Sequence, residues 1–458
     1  MVHVSRRNVL KGTGALLAAG AGSPVFAQTP AAAADLVVRG ATILSMDPAI
    51  GDLPTGDIHI RAGAIVRVAP RIEIGGAEVI DATDMIAMPG LVETHWHMWN
   101  TLIRNMAGET EKTGYFPTQG AIGARFAPGD NARGVLLSIA EALESGITTV
   151  HNWSHNLLQP DYADAEIEAM RSTGIRGRFS YGYSRNTKPN DTLPLDDILR
   201  VKKRFFASPG LLTLGMAPRG PLSNRMDVCQ TEWSFGRSNG LPVTTHVGMY
   251  PGKATGIEPL LDAGLGGPDV LLIHCTNADA KEIAGLAATK TWVSLSPYTE
   301  LRTGFGVTPI KVFLDAGVPL CLSVDTTALS GNGDMFAIMR MLQNLINGGA
   351  KSEFAAKPRR LLELATIEGA RALGLSDVTG SLTPGKRADL ILVRGSDVNL
   401  APATDPVRMI VQATEPSNVD TVIVDGQVLK RNGRLTRLDP KVIVADARAS
   451  LQRALSVK

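Results

Sequence analysis

Cysteine is scarce in this chain: 458 residues hold three, Cys229, Cys275 and Cys321. The number is odd, the spacing is wide and no CxxC occurs, which excludes a disulfide framework and a thiolate metal site. Cys275 and Cys321 sit in apolar strand-like runs, where a free thiol acts as a small buried hydrophobe. Long apolar runs are lacking too. No segment after residue 27 reads as a membrane span of about 20 residues, so no stable membrane insertion is expected. Nor is one sign of charge in excess. Lysine and arginine total 46 against 44 acids, and three of the bases, Arg6, Arg7 and Lys11, lie in an acid-free stretch of 27 residues. Without that stretch, 43 bases face 44 acids. A balance so near neutral excludes the electrostatic footprint of a nucleic-acid or anionic-membrane partner.

What the beginning does hold is a twin-arginine pattern, Ser5-Arg6-Arg7-Asn8-Val9-Leu10-Lys11. A weakly hydrophobic stretch, 12–24, and the small-residue site Val25-Phe26-Ala27 follow. Residues 1–27 are therefore read as a signal peptide, cleaved before Gln28, that engages the twin-arginine export machinery. The expected location is periplasmic or secreted. That route carries proteins already folded.

After an Ala-rich linker, short alternating runs separated by glycine and proline occupy residues 34–85, and the same texture returns over 382–445. Neither piece can bury its own core, so the two ends are expected to pair into one small composite β-sandwich. Between them, over 86–381, eight apolar runs alternate with helix-compatible segments: 85–96, 147–155, 177–183, 212–217, 242–247, 270–275, 292–296 and 319–325. This is the pattern of an α/β chain folded as a closed (β/α)8 TIM barrel, larger than the typical figure of about 250 residues but within range. An open, doubly wound sheet is the alternative. The polar residues favour the barrel: His97, His246, His274 and Asp325 fall at or just past the ends of the first, fifth, sixth and eighth runs. Barrel active sites are built at that pole.

His95 and His97 stand two apart, so on a strand their side chains share a face. The pair alone is a weak motif. Adding His246 and Asp325 makes an N/O ligand set for one divalent metal, zinc first and iron second, with a position left for water. Asp325 is the candidate to take that water's proton, and His274 to orient the group under attack or to stabilise its charge. His151 and His155, after the second strand, are candidates for the substrate pocket or for hydrogen bonds to loop backbone. Arg219, after the fourth strand, is placed to meet a substrate carboxylate unless it is simply an exposed loop residue. Trp99 belongs to a long apolar segment after the first strand that would shape specificity, or pack as core.

Pro89-Gly-Leu-Val-Glu-Thr-His95-Trp-His97, Thr245-His246, Ile273-His274 and Ser323-Val-Asp325 together resemble the amidohydrolase superfamily. The likeness is to its branch of cytosine deaminases and triazine hydrolases. It runs from about residue 34 to 438 and includes Gly380-Ser-Leu-Thr-Pro-Gly-Lys-Arg-Ala-Asp-Leu390 and Val422-Ile-Val-Asp-Gly426, which mark the composite sandwich. The resemblance implies one metal on His95, His97, His246 and Asp325. It also implies substrate contacts after the seventh strand, at Glu300 and Thr303. Two-metal members bridge their ions with a carboxylated lysine from the third or fourth strand. Neither 177–183 nor 212–220 contains lysine, so a mononuclear site is expected.

One departure bears on the reaction. Deaminases of this branch carry a glutamate three residues after the fifth-strand histidine; here Met249 stands there, and the next acid is Glu258. Ordinary aminopyrimidine or aminopurine deamination is thereby put in doubt, and hydrolysis of an amide, lactam or other C–N bond gains weight. The leading expectation is an exported mononuclear hydrolase acting on a non-peptide C–N bond of a small molecule. The alternatives are a dipeptidase or acyl-amino-acid hydrolase, and a non-catalytic periplasmic ligand-binding barrel. Neither reading excludes a homo-oligomer.

Overall fold

A computed structural model describes residues 35–184 and 186–457; the leader assigned to 1–27 lies outside them. The described residues open with five strands, β1 (Leu36–Leu44), β2 (Asp52–Arg61), β3 (Ala64–Ala69), β4 (Glu78–Asp81) and β5 (Met85–Pro89). Eight parallel strands follow: β6 (Leu91–Val92), β7 (Ile147–Ser154), β8 (Arg176–Gly182), β9 (Leu212–Ala217), β10 (Val243–Val247), β11 (Val270–His274), β12 (Trp292–Leu295) and β13 (Leu320–Leu322). The last four, β14 (Leu390–Arg394), β15 (Val419–Val424), β16 (Gln427–Arg431) and β17 (Arg434–Leu435), return to the first five.

The eight parallel strands lie in sequence order, and each pairs with its neighbour. Helices alternate with them and cover the outside, so the strands are buried on both faces even where they carry polar residues, as in β7 and β8. The barrel closes beyond the ladders. Thr94 N–H donates to Leu322 O (3.2 Å), Asp325 N–H to His95 O (2.8 Å) and His97 N–H to Asp325 O (2.7 Å). These bonds tie the first strand to the eighth at the pole where the histidines emerge. Capping sets the helix starts locally: Asp279 accepts from Glu282 N–H and Glu282 reaches back to the Asp279 N–H, opening Ala280–Thr289.

The two chain ends form one mixed, nine-stranded sheet, with β5 between β1 and β14. Its apolar core joins Leu36, Val38, Ile43 and Ile58 to Leu382, Leu390, Leu392 and Ile423, residues hundreds of positions apart. Two expected boundaries move. The first barrel run was expected from 85, but Met85–Pro89 pairs with β14 over five residues and belongs to the small sheet. The barrel begins after Gly90, because a strand paired on both edges, with β1 and with β14, is held by that sheet. The sandwich was expected to reach 445, but Pro440–Ser456 is a helix packed on the barrel. Its Ala447 and Ala454 join Trp99, Leu102 and Ile122, and Arg453 pairs with Asp130 of helix Pro128–Glu144. The three cysteines are buried and unpaired. No helix among the described residues is long and apolar enough to cross a membrane.

Candidate metal centre

The carboxyl ends of β6, β10 and β13 bring His95, His97, His246 and Asp325 together, with one ligand atom from each within 4.8 Å of all the others. His95 Nε2 lies 3.1 Å from Asp325 Oδ1 and 3.2 Å from His246 Nε2, and His97 Nε2 lies 3.4 Å from Asp325 Oδ1. Burial, reinforced by the neighbouring imidazoles, pushes the His95 and His246 pKa values well below the usual histidine value, and burial also lowers that of His97. Neutral imidazole is the ligating form. His97 Nδ1 faces the Trp153 carbonyl at 3.1 Å, and a carbonyl only accepts, so Nδ1 carries the hydrogen and the Nε2 lone pair points into the cluster. Three converging ring nitrogens and a carboxylate fit one zinc or ferrous ion.

Two residues of the site have strained backbone. Asp325 has φ 62° and His274 has φ 76°, left-handed values that non-glycine residues avoid. Each costs on the order of 1–3 kcal/mol and persists only where the surroundings over-determine it. At Asp325 the paired backbone bonds to His95 and His97 supply that constraint.

Glu93, which sequence reasoning passed over, sits behind the ligands. It accepts from the N–H groups of His95 (2.7 Å), Val324 (3.2 Å) and His151 (3.3 Å), contributed by the first, eighth and second barrel strands or the turns that follow them. Burial pushes its carboxyl up to about 8, while those three N–H groups pull the other way. Its only signal in the sequence is an acid embedded in the apolar run that precedes His95. Trp153 was passed over as well. Its ring stands 4.4 Å from His246, 5.0 Å from His97 and 5.7 Å from His95, centroid to centroid. A period of two along β7 puts it on the face shared by His151 and His155.

His274, the last residue of β11, stacks on His246 and places Nε2 at 4.0 Å from Asp325 Oδ2. Its Nδ1 faces Glu300 Oε1 at 3.3 Å. Glu300 is buried and also accepts from Ser296 N–H (2.8 Å) and the Thr308 hydroxyl (2.9 Å). It therefore stands behind His274 rather than on the cavity wall, where a substrate contact was expected. His151 is also set back from the wall: Nδ1 contacts Thr94 O and Nε2 contacts Ser180 Oγ, both at 2.7 Å. Trp99 is fully buried beside Phe126, and its indole N–H donates to His155 Nδ1 at 3.3 Å. Each of these three side chains satisfies its polar atoms inside the protein, a partnership that strand position alone does not reveal.

Above the cluster opens a cavity of about 670 Å³. His155, Arg219 and Thr303 line it, with His97, His246, His274, Asp325 and Met249. Asp325 is its one acid among the described residues. Arg219 Nη2 donates to Thr187 O (2.7 Å) and Ser184 O (3.3 Å), and the Thr303 hydroxyl donates to Thr299 O (2.6 Å).

The Amidohydrolase family pattern matches residues 86–429. A 5-methylthioadenosine/S-adenosylhomocysteine deaminase of Symbiobacterium thermophilum is 31% identical, over 91% of this chain and 98% of its own length. A 5'-deoxyadenosine deaminase of Methanosarcina acetivorans is 28% identical, over 92% and 99%. Two solved structures share the fold. A zinc-bound adenosine deaminase from Xanthomonas campestris has TM-score 0.85 at 23% identity, covering 93% of this chain and 99% of its own. A zinc complex of atrazine chlorohydrolase from Arthrobacter aurescens has TM-score 0.82 at 24% identity, covering 91% and 100%. The chain belongs to the amidohydrolase family, metal-dependent hydrolases of carbon–nitrogen bonds other than peptide bonds.

Proposed function

We propose that this protein is an exported amidohydrolase that loads one divalent ion, zinc by preference, and hydrolyses a C–N bond of an amide, lactam or amino-heterocycle. The observation that carries this reading is the convergence of three neutral imidazoles and the Asp325 carboxylate at the floor of the cavity. His95, His97, His246 and Asp325 would hold the ion, which would act as a Lewis acid and bring the pKa of water toward neutrality. The chain's own groups handle the protons. Asp325, the one acid on the cavity wall among the described residues, is placed to take a proton from the attacking water and pass it to the departing nitrogen. His274 is held by Glu300 through Nδ1, which leaves Nε2 turned toward Asp325 to meet charge developing on the substrate.

The related deaminases make an amino-heterocycle a natural candidate substrate. Met249 points elsewhere, because it brings no proton carrier to a ring nitrogen. The reaction favoured is one in which Asp325 alone carries the proton from water to the leaving nitrogen. A single ion agrees with the absence of lysine from β8 and β9.

Metal analysis of the reconstituted mature protein should give about one zinc or iron per chain, and Asp325→Asn should abolish hydrolysis. Two ions per chain would sink the mononuclear reading. A screen that detects ammonia separately from ring opening or amine release would identify the bond. Full metal loading without turnover on amide, lactam and aminoheterocycle panels would favour a binding protein instead. Export rests on the leader: replacing Arg6 and Arg7 with lysine should leave the precursor in the cytoplasm, and unchanged fractionation would refute the route.

A further inference from the structure

The cavity wall carries two cations and, apart from Asp325, no acid among its described residues. Arg219 is the better placed of the two. Its guanidinium lies 4.1 Å from the centre of the Tyr183 ring, and Nη2 is tied to two loop carbonyls. A stack and two hydrogen bonds hold the fork in one orientation, which reduces what must be ordered when a ligand arrives. Nη2 alone serves the loop. Nε–H is buried without a hydrogen-bond partner, and among the described residues no carboxylate forms an ion pair with this arginine. Glu232 is near enough to feel its charge, but its carboxyl accepts from Leu193 N–H at 2.8 Å instead. Lys253, exposed at the rim, is a second cation without an ion pair among the described residues.

A half-buried guanidinium with an unmet N–H carries a desolvation cost that no protein group offsets. A carboxylate from outside would offset it by accepting a charge-assisted hydrogen bond from Nη1, which donates to no acceptor among the described residues. Five flat rings share the wall with polar groups: Tyr115, Phe116, Tyr183, Tyr250 and Phe305 face the same space. Such rings favour a planar body of similar character. We propose that the cavity selects substrates built on an aromatic or heteroaromatic ring that carries a carboxylate. The carboxylate docks on Arg219, and Lys253 adds long-range attraction at the rim. This rests on reading the cavity as the substrate site of the hydrolase.

The test is calorimetric titration of the metal-loaded mature protein with indole-3-acetate and with its neutral analogue indole-3-ethanol, neither of which has a C–N bond that hydrolysis would release. The acid should bind at least tenfold tighter, and the advantage should shrink as salt rises. In Arg219→Gln the ratio of the two affinities should fall at least tenfold, and Arg219→Lys should restore part of it. If Arg219→Gln fails to fold, Arg219→Lys carries the test, with a ratio between wild type and unity. Equal affinities in the wild type, or no binding of either probe, would overturn the proposal. So would an acid preference that survives at both variants, because the carboxylate would then be meeting the metal. Absence of turnover on every hydrolytic panel would sink the hydrolase reading separately, leaving the affinity ratio to decide the anion site.

Discussion

Burial holds His95, His97, His151 and His246 uncharged, and His151 shows the effect without any role as a ligand. Its pKa is lowered to about 3, first by desolvation and then by the charge of Arg178. In the unfolded chain the same group titrates near 6.5. The folded pKa is depressed, so the unfolded state binds the extra proton between those values, and stability is lost as pH falls through that window. The other three histidines shift the same way. Each contributes at most about 1.4 kcal/mol per pH unit below 6.5. Urea unfolding midpoints of the metal-free protein should therefore fall steadily from pH 6.5 to 5. A flat profile over that range would show that these rings are not neutral in the fold.

Gly90 marks where one element becomes two. It joins β5, which belongs to the small sheet, to β6, which begins the barrel, and a Cβ there would lie 2.1 Å from the side chain of Thr148. The crowding atoms belong to a β-branched residue inside β7, not to the far end of a flexible chain, so they cannot simply swing aside. Gly90→Ala should destabilise by about 1–3 kcal/mol. Adding Thr148→Ala, which removes the two nearest atoms, should recover part of that loss in thermal denaturation; no recovery would mean that the strain lies in the backbone. The apolar run from 85 to 96 reads as one strand because hydrophobicity continues across Gly90. What divides it is pairing, and pairing is not written in local alternation.

At the scale of the molecule, the barrel and the small sheet are locked by a buried ion pair. Arg176, at the start of β8, donates from Nε to Asp389 Oδ2 at 2.5 Å and from Nη2 to Asp425 Oδ1 at 2.9 Å, and Asp389 also accepts from the Asp425 N–H. Arg176 and Asp389 are both almost fully buried. Breaking such a pair leaves an uncompensated charge, which costs about 3–5 kcal/mol. Asp389→Asn should lower the melting temperature accordingly, whereas replacing Arg176 and Asp389 together with apolar residues of similar volume should cost less. Equal losses in the single and double variants would show that the ion pair is not what couples the two parts.

The eight runs, the pole that carries the ligands and the pairing of the two chain ends were legible from the sequence, because strand period and strand-end position are local properties that the barrel imposes on every repeat. His95, His97, His246 and Asp325 stood out for the same reason. Which side chains reach the cavity was not legible. His151, Trp99 and Glu300 sit at strand ends as His155, Arg219 and Thr303 do, but the first three turn to Thr94, His155 and His274. Orientation depends on partners hundreds of residues away in sequence. The same dependence hid Glu93, whose role as acceptor appears only when three strands meet. Sequence alone determined that a metal-binding barrel is encoded; the tertiary structure decided what surrounds the metal, because burial and hydrogen-bond satisfaction are settled only after the strands close.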